Sequence, residues 1–240
     1  MVAAWFKNGL TLWAENAENL VFHGLHVMNL HKKYQPKEGY TRIVEHGEMG
    51  IVALDFGILN LKVGSSFFED TADNEVVLIV LSGRCTLLVG HNGNKAHGII
   101  GERADVFSDK AYRAYIPYRT TYELFADEVP VEVAICKVPS YLETAAVILK
   151  PGDELDTNDY GVTLSETPIQ SICGEAICFY RFHPAEGYAH LHTYNTNRSF
   201  DQVVSIHHND LLALPEGYHA ELMESSHCFY SLWMAYRDNA

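Results

Sequence analysis

Seven of the thirteen histidines of this chain fall between His183 and His227, and three of them have the type and spacing of metal ligands. In GYAHLHTY, His190 and His192 lie two apart on an expected strand, so both imidazoles leave the same face. A third, His219, follows the turn PEGY at the head of the alternating strand YHAEL. Proline fixes φ before that turn and glycine permits a backbone that a β-branched residue would resist, so an imidazole there starts from a rigid point. If the three side chains share a barrel interior, they would hold a divalent ion, zinc or manganese by ligand type, and leave one position open for a substrate oxygen.

Chemistry at such an ion needs proton carriers and a means of orienting the substrate. Glu175 opens the strand EAICFYRF, and an enclosed glutamate has its pKa raised toward neutrality, which suits a general base. Arg181 sits within the same otherwise aromatic strand and must reach solvent or pair; a substrate carboxylate or an internal salt bridge would each satisfy its fork of donors. Tyr218 precedes His219 and joins Arg181 as a candidate contact for a sugar acid. Other residues carry weaker signals. Glu221 lies on the side of His219, but its counterpart Glu123 occupies the half without the histidine, which favours a shared structural role. His207 and His208 are adjacent in HHND and so point to opposite faces of a strand, and His227 reads as surface.

The 240 residues include 31 acidic against 17 basic, a formal charge of −14 with histidine neutral, and no Lys/Arg cluster interrupts the surplus. Nucleic acid and anionic membrane are therefore poor partners, whereas a small anionic substrate can still be met by a few local arginines or an ion. Cys85, Cys136, Cys173, Cys178 and Cys228 form an odd number with no CxxC pair, so a full disulfide framework fails by counting and a cytoplasmic location is expected. The opening MVAAWFKNGLTLWAENAENL breaks its apolar residues with Lys, Asn and Glu, and no later run nears the roughly 18 apolar residues of a membrane span. Neither a signal peptide nor a span is expected. GxGxxG, the phosphate-binding loop and the GxSxG elbow are all absent.

Positioning falls to β-strands. IVALDFGILNLKVG, EVVLIVLSG, CTLLVG, RAYIPY, TTYELFA and VEVAICKV are short, rich in Val, Ile, Leu and Tyr, and bounded by turn residues; the pattern resumes with EAICFYRF, GYAHLHTY, DLLALP and CFYSLWMAY. The halves share a grammar: AYIPYRTTYELFA matches LALPEGYHAELME, pairing Pro117 with Pro215, Tyr122 with Ala220 and Thr121 with His219. The expected architecture is all-β, two tandem jelly-roll barrels, each a double-stranded β-helix, with an extension over 1–40, a first barrel over 41–140 without metal, and a second over 141–240 carrying the site. Within the extension the choice between a short helix and an edge strand stays open. An exposed barrel edge could pair across a two-fold axis, so a homo-oligomer is expected.

The run RSFDQVVSIHHNDLLALPEGYHAEL, with GEAICFYRFHPAEGY before it and CFYSLWMAY after it, resembles the C-terminal half of the 5-deoxyglucuronate isomerases of inositol catabolism, a two-cupin family. LNLKVGSSFFEDTADNEVVLIVLSGRCTLLV, GERADVF and YIPYRTTYEL are similar to that family's first cupin, and the likeness spans roughly Ile43 to Tyr236. The resemblance implies a bicupin fold, a divalent metal in the second barrel and an aldose-to-ketose isomerisation of a sugar acid such as 5-deoxyglucuronate. Of the family's metal pattern, His219 carries over. The His-x-His does not, because the corresponding TNDYGVT has no histidine and places residues near Gly161 and Thr163 there; the family glutamate falls on Ala176, with Glu175 one residue early. A bulge would be needed to turn Glu175 inward. Either His190 and His192 rebuild the site, or the barrel binds a sugar acid or another small polar ligand without metal and without turnover.

The first reading has a direct check. If His190, His192 and His219 share the interior, protein purified without added metal or an affinity tag is expected to carry near-stoichiometric zinc or manganese by elemental analysis, lost on changing any one of the three to alanine.

Overall fold

The computed structural model describes residues 30–91, 94–153, 162–166, 174–214, 218–222 and 227–236; at 91, 94–96, 163–164 and 218–219 it describes the backbone alone. The described residues form eighteen strands and no helix, in four antiparallel sheets. A six-stranded sheet holds β2 (Gly39–Val44), β3 (Asp55–Leu61), β5 (Asn74–Gly83), β8 (Arg113–Ile116), β10 (Val131–Pro139) and β11 (Val147–Leu149), in the order β11-β8-β5-β10-β3-β2. It faces a four-stranded sheet of β4 (Ser66–Asp70), β9 (Thr121–Phe125), β6 (Cys85–His91) and β7 (Asn94–Ile100), joined in that order, and together they make the first barrel. The second barrel pairs a five-stranded sheet with a three-stranded one. The larger runs β1 (His31–Lys33), β16 (Asp210–Leu214), β13 (Glu175–His183), β18 (Cys228–Tyr236), β12 (Val162–Ser165); the smaller runs β15 (Asp201–His207), β14 (Tyr188–Asn195), β17 (Tyr218–Leu222).

Period-two alternation distributes the side chains among three cores. From β5, Val76, Leu78 and Val80 enter the first barrel beside Leu124, Val133 and Ile135. Val77, Ile79 and Leu81 leave the opposite face and meet Phe56, Phe179, Leu232 and Met234 between the barrels. The same split in β13 sends Ala176, Cys178, Tyr180 and Phe182 into the second barrel with Leu191 and Trp233, and Ile177 and Phe179 into the shared core. Strands buried on both faces read as unbroken apolar runs, which is why EVVLIVLSG lacks alternation. The described cysteines are free thiols, with Cys85, Cys136 and Cys178 buried.

The chain crosses the expected division at 140/141. β11 still pairs with β8 in the first barrel. In the other direction, β1 pairs with β16 of the second barrel, Leu30 enters that barrel's core and Tyr34 lies in the shared one. The end of the expected extension is thus an edge strand of the far barrel, and residues 1–29 lie outside the described residues. Asp210, 1% exposed, anchors that edge by pairing with His31 at 3.0 Å and Lys33 at 3.1 Å and by accepting the His207 amide at 2.7 Å.

Charged clamps cross the shared core. Arg181 donates two 2.7 Å hydrogen bonds to Glu132 of β10, and its guanidinium stands 5.4 Å from the Phe179 ring centroid. Glu166 accepts from Arg103 at 3.0 Å and from the Tyr230 hydroxyl at 2.9 Å.

Two stability experiments follow from these anchors. Side-chain exposures of 14% and 11% place Arg181 and Glu132 largely out of water, so Arg181→Ala is expected to cost about 3–5 kcal/mol in urea unfolding by leaving a buried carboxylate unpaired. The double change Arg181→Met with Glu132→Leu should cost much less. Burial pushes the Asp210 carboxyl up, but hydrogen bonds from the His31 ring, the His207 amide and Lys33, together with the charge of His31, hold it below its ordinary value. A depressed folded pKa gives stability that is complete above the ordinary carboxylate range and is lost as pH falls through the folded value. Asp210→Asn should therefore flatten the fall in stability below about pH 4, measured by thermal melts across pH.

Candidate functional site

The second barrel's interior is built by the inward positions of β13, β14, β16, β17 and β18. It is mostly apolar: Ala176, Leu191, Leu214, Ala220 and Trp233 pack around Tyr180 and Cys178. Burial raises both the Cys178 thiol and the Tyr180 phenol well above their ordinary values, so each stays protonated and neither serves as a ready anion. Thr193, fully buried, turns an oxygen inward that has no hydrogen-bond partner, and Trp233 donates its indole N–H to Ser231 at 3.1 Å.

His190 and His192 do not enter this interior. Leu191 lies between them and is fully buried, as are Ala189 and Thr193, so the strand's alternation puts both histidines on the outer face. There Ser205 and the His190 ring nitrogen lie 3.1 Å apart, and His192 pairs with Asp201 at 2.6 Å, holding that carboxyl below its usual value. The outer face also places the Tyr188 ring 5.5 Å from His190. His219 is opposite Tyr194 in the β14–β17 register and Tyr218 opposite Asn195, and the side chains of both lie outside the described residues.

Glu175 and Arg181 are likewise turned away from the barrel. The β13–β18 register runs unbroken from Glu175 opposite Tyr236 to His183 opposite Cys228, so no bulge reverses Glu175. Both residues share the parity of Ile177 and Phe179, which face the first barrel. The Glu175 carboxylate accepts three backbone amides there, from Val52 at 2.5 Å, Ala53 at 2.7 Å and Leu54 at 2.8 Å. Arg181 is committed to Glu132. The salt-bridge alternative for Arg181 is the one that the structure realises.

His190 and His192 are therefore not in the second barrel's interior, and no three His, Cys, Asp or Glu side chains among the described residues could jointly hold a metal ion; the side chain of His219, the third expected ligand, lies outside the described residues. Ala176 occupies an inward position with no donor to offer. Inside the first barrel, by contrast, Lys137, Glu69, Tyr122 and Tyr40 meet, a group that the sequence reading passed over. A signal was present: Lys137 shares the alternation of Val131, Val133 and Ile135 and puts a charge on their inward face.

Several known proteins share this arrangement. A family model described as KduI/IolB family matches residues 29–176 and 167–238. A protein named 5-deoxy-glucuronate isomerase from Listeria innocua is 20% identical over 231 residues, covering 79% of this chain and 83% of its own. Its namesake from Geobacillus thermodenitrificans is 21% identical over 222 residues, covering 76% and 80%. An IolB-like protein from Salmonella typhimurium superposes with a TM-score of 0.72 at 19% identity, over 88% of this chain and 93% of that one. Bacillus subtilis oxalate decarboxylase, described with Mn(II) centres, superposes at 0.58 with 11% identity, over 90% and 79%. The all-strand double barrel is thus the cupin pair expected from the sequence. With matches reaching across both barrels, the chain belongs to the KduI/IolB family.

Proposed function

We propose that the protein is an intramolecular isomerase that interconverts the aldose and ketose forms of a small sugar acid, 5-deoxyglucuronate or a close analogue, at the Tyr218–His219 end of the second barrel. The observation that carries this reading is the family match over both barrels, with relatives bearing the isomerase name. The reaction moves one proton between neighbouring carbons through an enediol and returns it, so it needs neither oxidant nor co-substrate. His219, at the start of β17, is proposed to carry that proton.

The described interior does not fit a divalent ion. It offers hydroxyls from Tyr180 and Thr193 and a thiol kept protonated by burial, with no carboxylate or imidazole among them. No step is therefore routed through zinc or manganese. A second reading, a cupin that binds a sugar acid without turnover, is favoured by Ala176 and Leu191 filling inward positions with alkyl groups. Homo-oligomer formation and a cytoplasmic setting belong to the same proposal.

Wild-type protein, purified without an affinity tag, is expected to isomerise a hexuronate or 5-deoxyhexuronate in a coupled or NMR assay. His219→Ala should lower kcat/KM by about 10²–10⁴ while leaving the thermal transition in place, the range expected for losing an acid–base group. Binding without turnover would establish the second reading. Near-stoichiometric zinc or manganese whose removal abolishes turnover would overturn the metal-independent assignment.

A further inference from the structure

The first barrel's interior is lined mainly by Val, Leu and Ile, with Cys85, Ala114 and Ala126 among them, and towards one end polar and aromatic side chains from four strands converge. Lys137 of the six-stranded sheet reaches across the barrel to an ion pair with Glu69 of the four-stranded sheet. Because these strands belong to opposite walls, the pair lies between the walls. Tyr122 donates its hydroxyl to the other Glu69 oxygen at 2.5 Å. The Lys137 ammonium stands 5.2 Å from the Tyr40 ring centroid, and the Phe67 ring lies 5.9 Å from Tyr40 and 6.2 Å from Tyr122.

Two features argue against a purely structural cluster. Taking an ammonium and a carboxylate out of water costs several kcal/mol per ion before their attraction is counted, and apolar residues of similar volume would pack as well or better. The Tyr40 hydroxyl is buried with no hydrogen-bond partner, a condition that native interiors rarely leave unfilled. It is pressed against Gly57, where an added Cβ would come within 2.5 Å of it, so the strand beneath is kept bare to admit this phenol. Lys137 and Glu69, with 12% and 24% of their side chains exposed, lie nearer solvent than Tyr122, a residue only 1% exposed.

We propose that this end of the first barrel is a binding site for a neutral polyhydroxylated ligand, a monosaccharide or alditol, separate from the site proposed in the second barrel. Charge selects the class. Lys137 is already neutralised by Glu69, so a carboxylate or phosphate would have to break the pair. A hydroxyl both donates and accepts, and it can insert between Glu69, Lys137 and Tyr40 with the pair's charge still balanced. The Tyr40 and Phe67 rings offer apolar surface to the C–H face of a sugar.

The test is titration of the full-length protein with glucose, xylose and sorbitol, with glucuronate as the charged comparator, followed by ligand-observed NMR or calorimetry. A neutral compound is expected to bind in the millimolar range or tighter without competition from glucuronate. Tyr40→Phe removes only the unpartnered hydroxyl and should weaken binding by about tenfold, as for a lost hydrogen bond to a buried polar group. Glu69→Gln should weaken it further, and His219→Ala should leave it unchanged. The proposal falls if none of the three neutral compounds binds, if Tyr40→Phe binds as wild type does, or if glucuronate displaces the sugar. Loss of sugar binding in His219→Ala would also overturn it, whereas loss of isomerisation in that variant alone bears only on the second barrel.

Discussion

The two large sheets bury both of their faces, and this double burial governs where every other group can go. Each long strand must supply one row of side chains to its own barrel and another to the seam between barrels. In β5 both rows are apolar, with Val76, Leu78 and Val80 on one side and Val77, Ile79 and Leu81 on the other. At roughly 25 cal/mol per Å² of apolar area removed from water, two such sheets packed face to face supply a driving force that neither barrel has alone. Residues from the opposite half are drawn into the same seam. Tyr34 reaches it from the segment that continues out of β1, and the edge strand β1 completes the far barrel's sheet.

A polar group on the seam row has to be satisfied across the seam. Arg181 meets Glu132, Glu175 collects the amides of Val52, Ala53 and Leu54, and Glu166 is held between Arg103 and Tyr230. Each pairing joins groups far apart in the chain, so the polar contacts set the alignment of the barrels while the apolar rows supply most of the attraction. These residue types resemble catalytic machinery in the sequence. In the fold they are fasteners, because their parity faces the other barrel and not a barrel interior.

The two interiors divide polar character in opposite ways. The second is filled by Ala, Leu, Phe and Trp, with hydroxyls and a protonated thiol as its described polar atoms. The first ends in a lysine, a glutamate and two phenols. Equivalent positions of the duplicated strand show the divergence: Tyr122 in β9 and Ala220 in β17 are both buried, yet one carries a hydrogen-bonding phenol and the other a methyl group.

Strand runs, turn residues and the repeated Pro-turn-strand signature sufficed to read two β-barrels, because alternation and turn chemistry are local properties of the chain. Local order also sufficed to place His190 and His192 on a common face. Which face that was depended on Leu191 finding a buried place against the opposite sheet, and the sequence contains no measure of that competition. The short strand HKK has no apolar rhythm to announce it; its pairing with β16 comes from a buried aspartate far along the chain. Glu175 and Arg181 were visible as unusual residues in an apolar strand, but their partners lie in the other half of the molecule. Type and spacing identified the groups that could do chemistry, whereas packing between sheets decided which of them were spent on holding the barrels together.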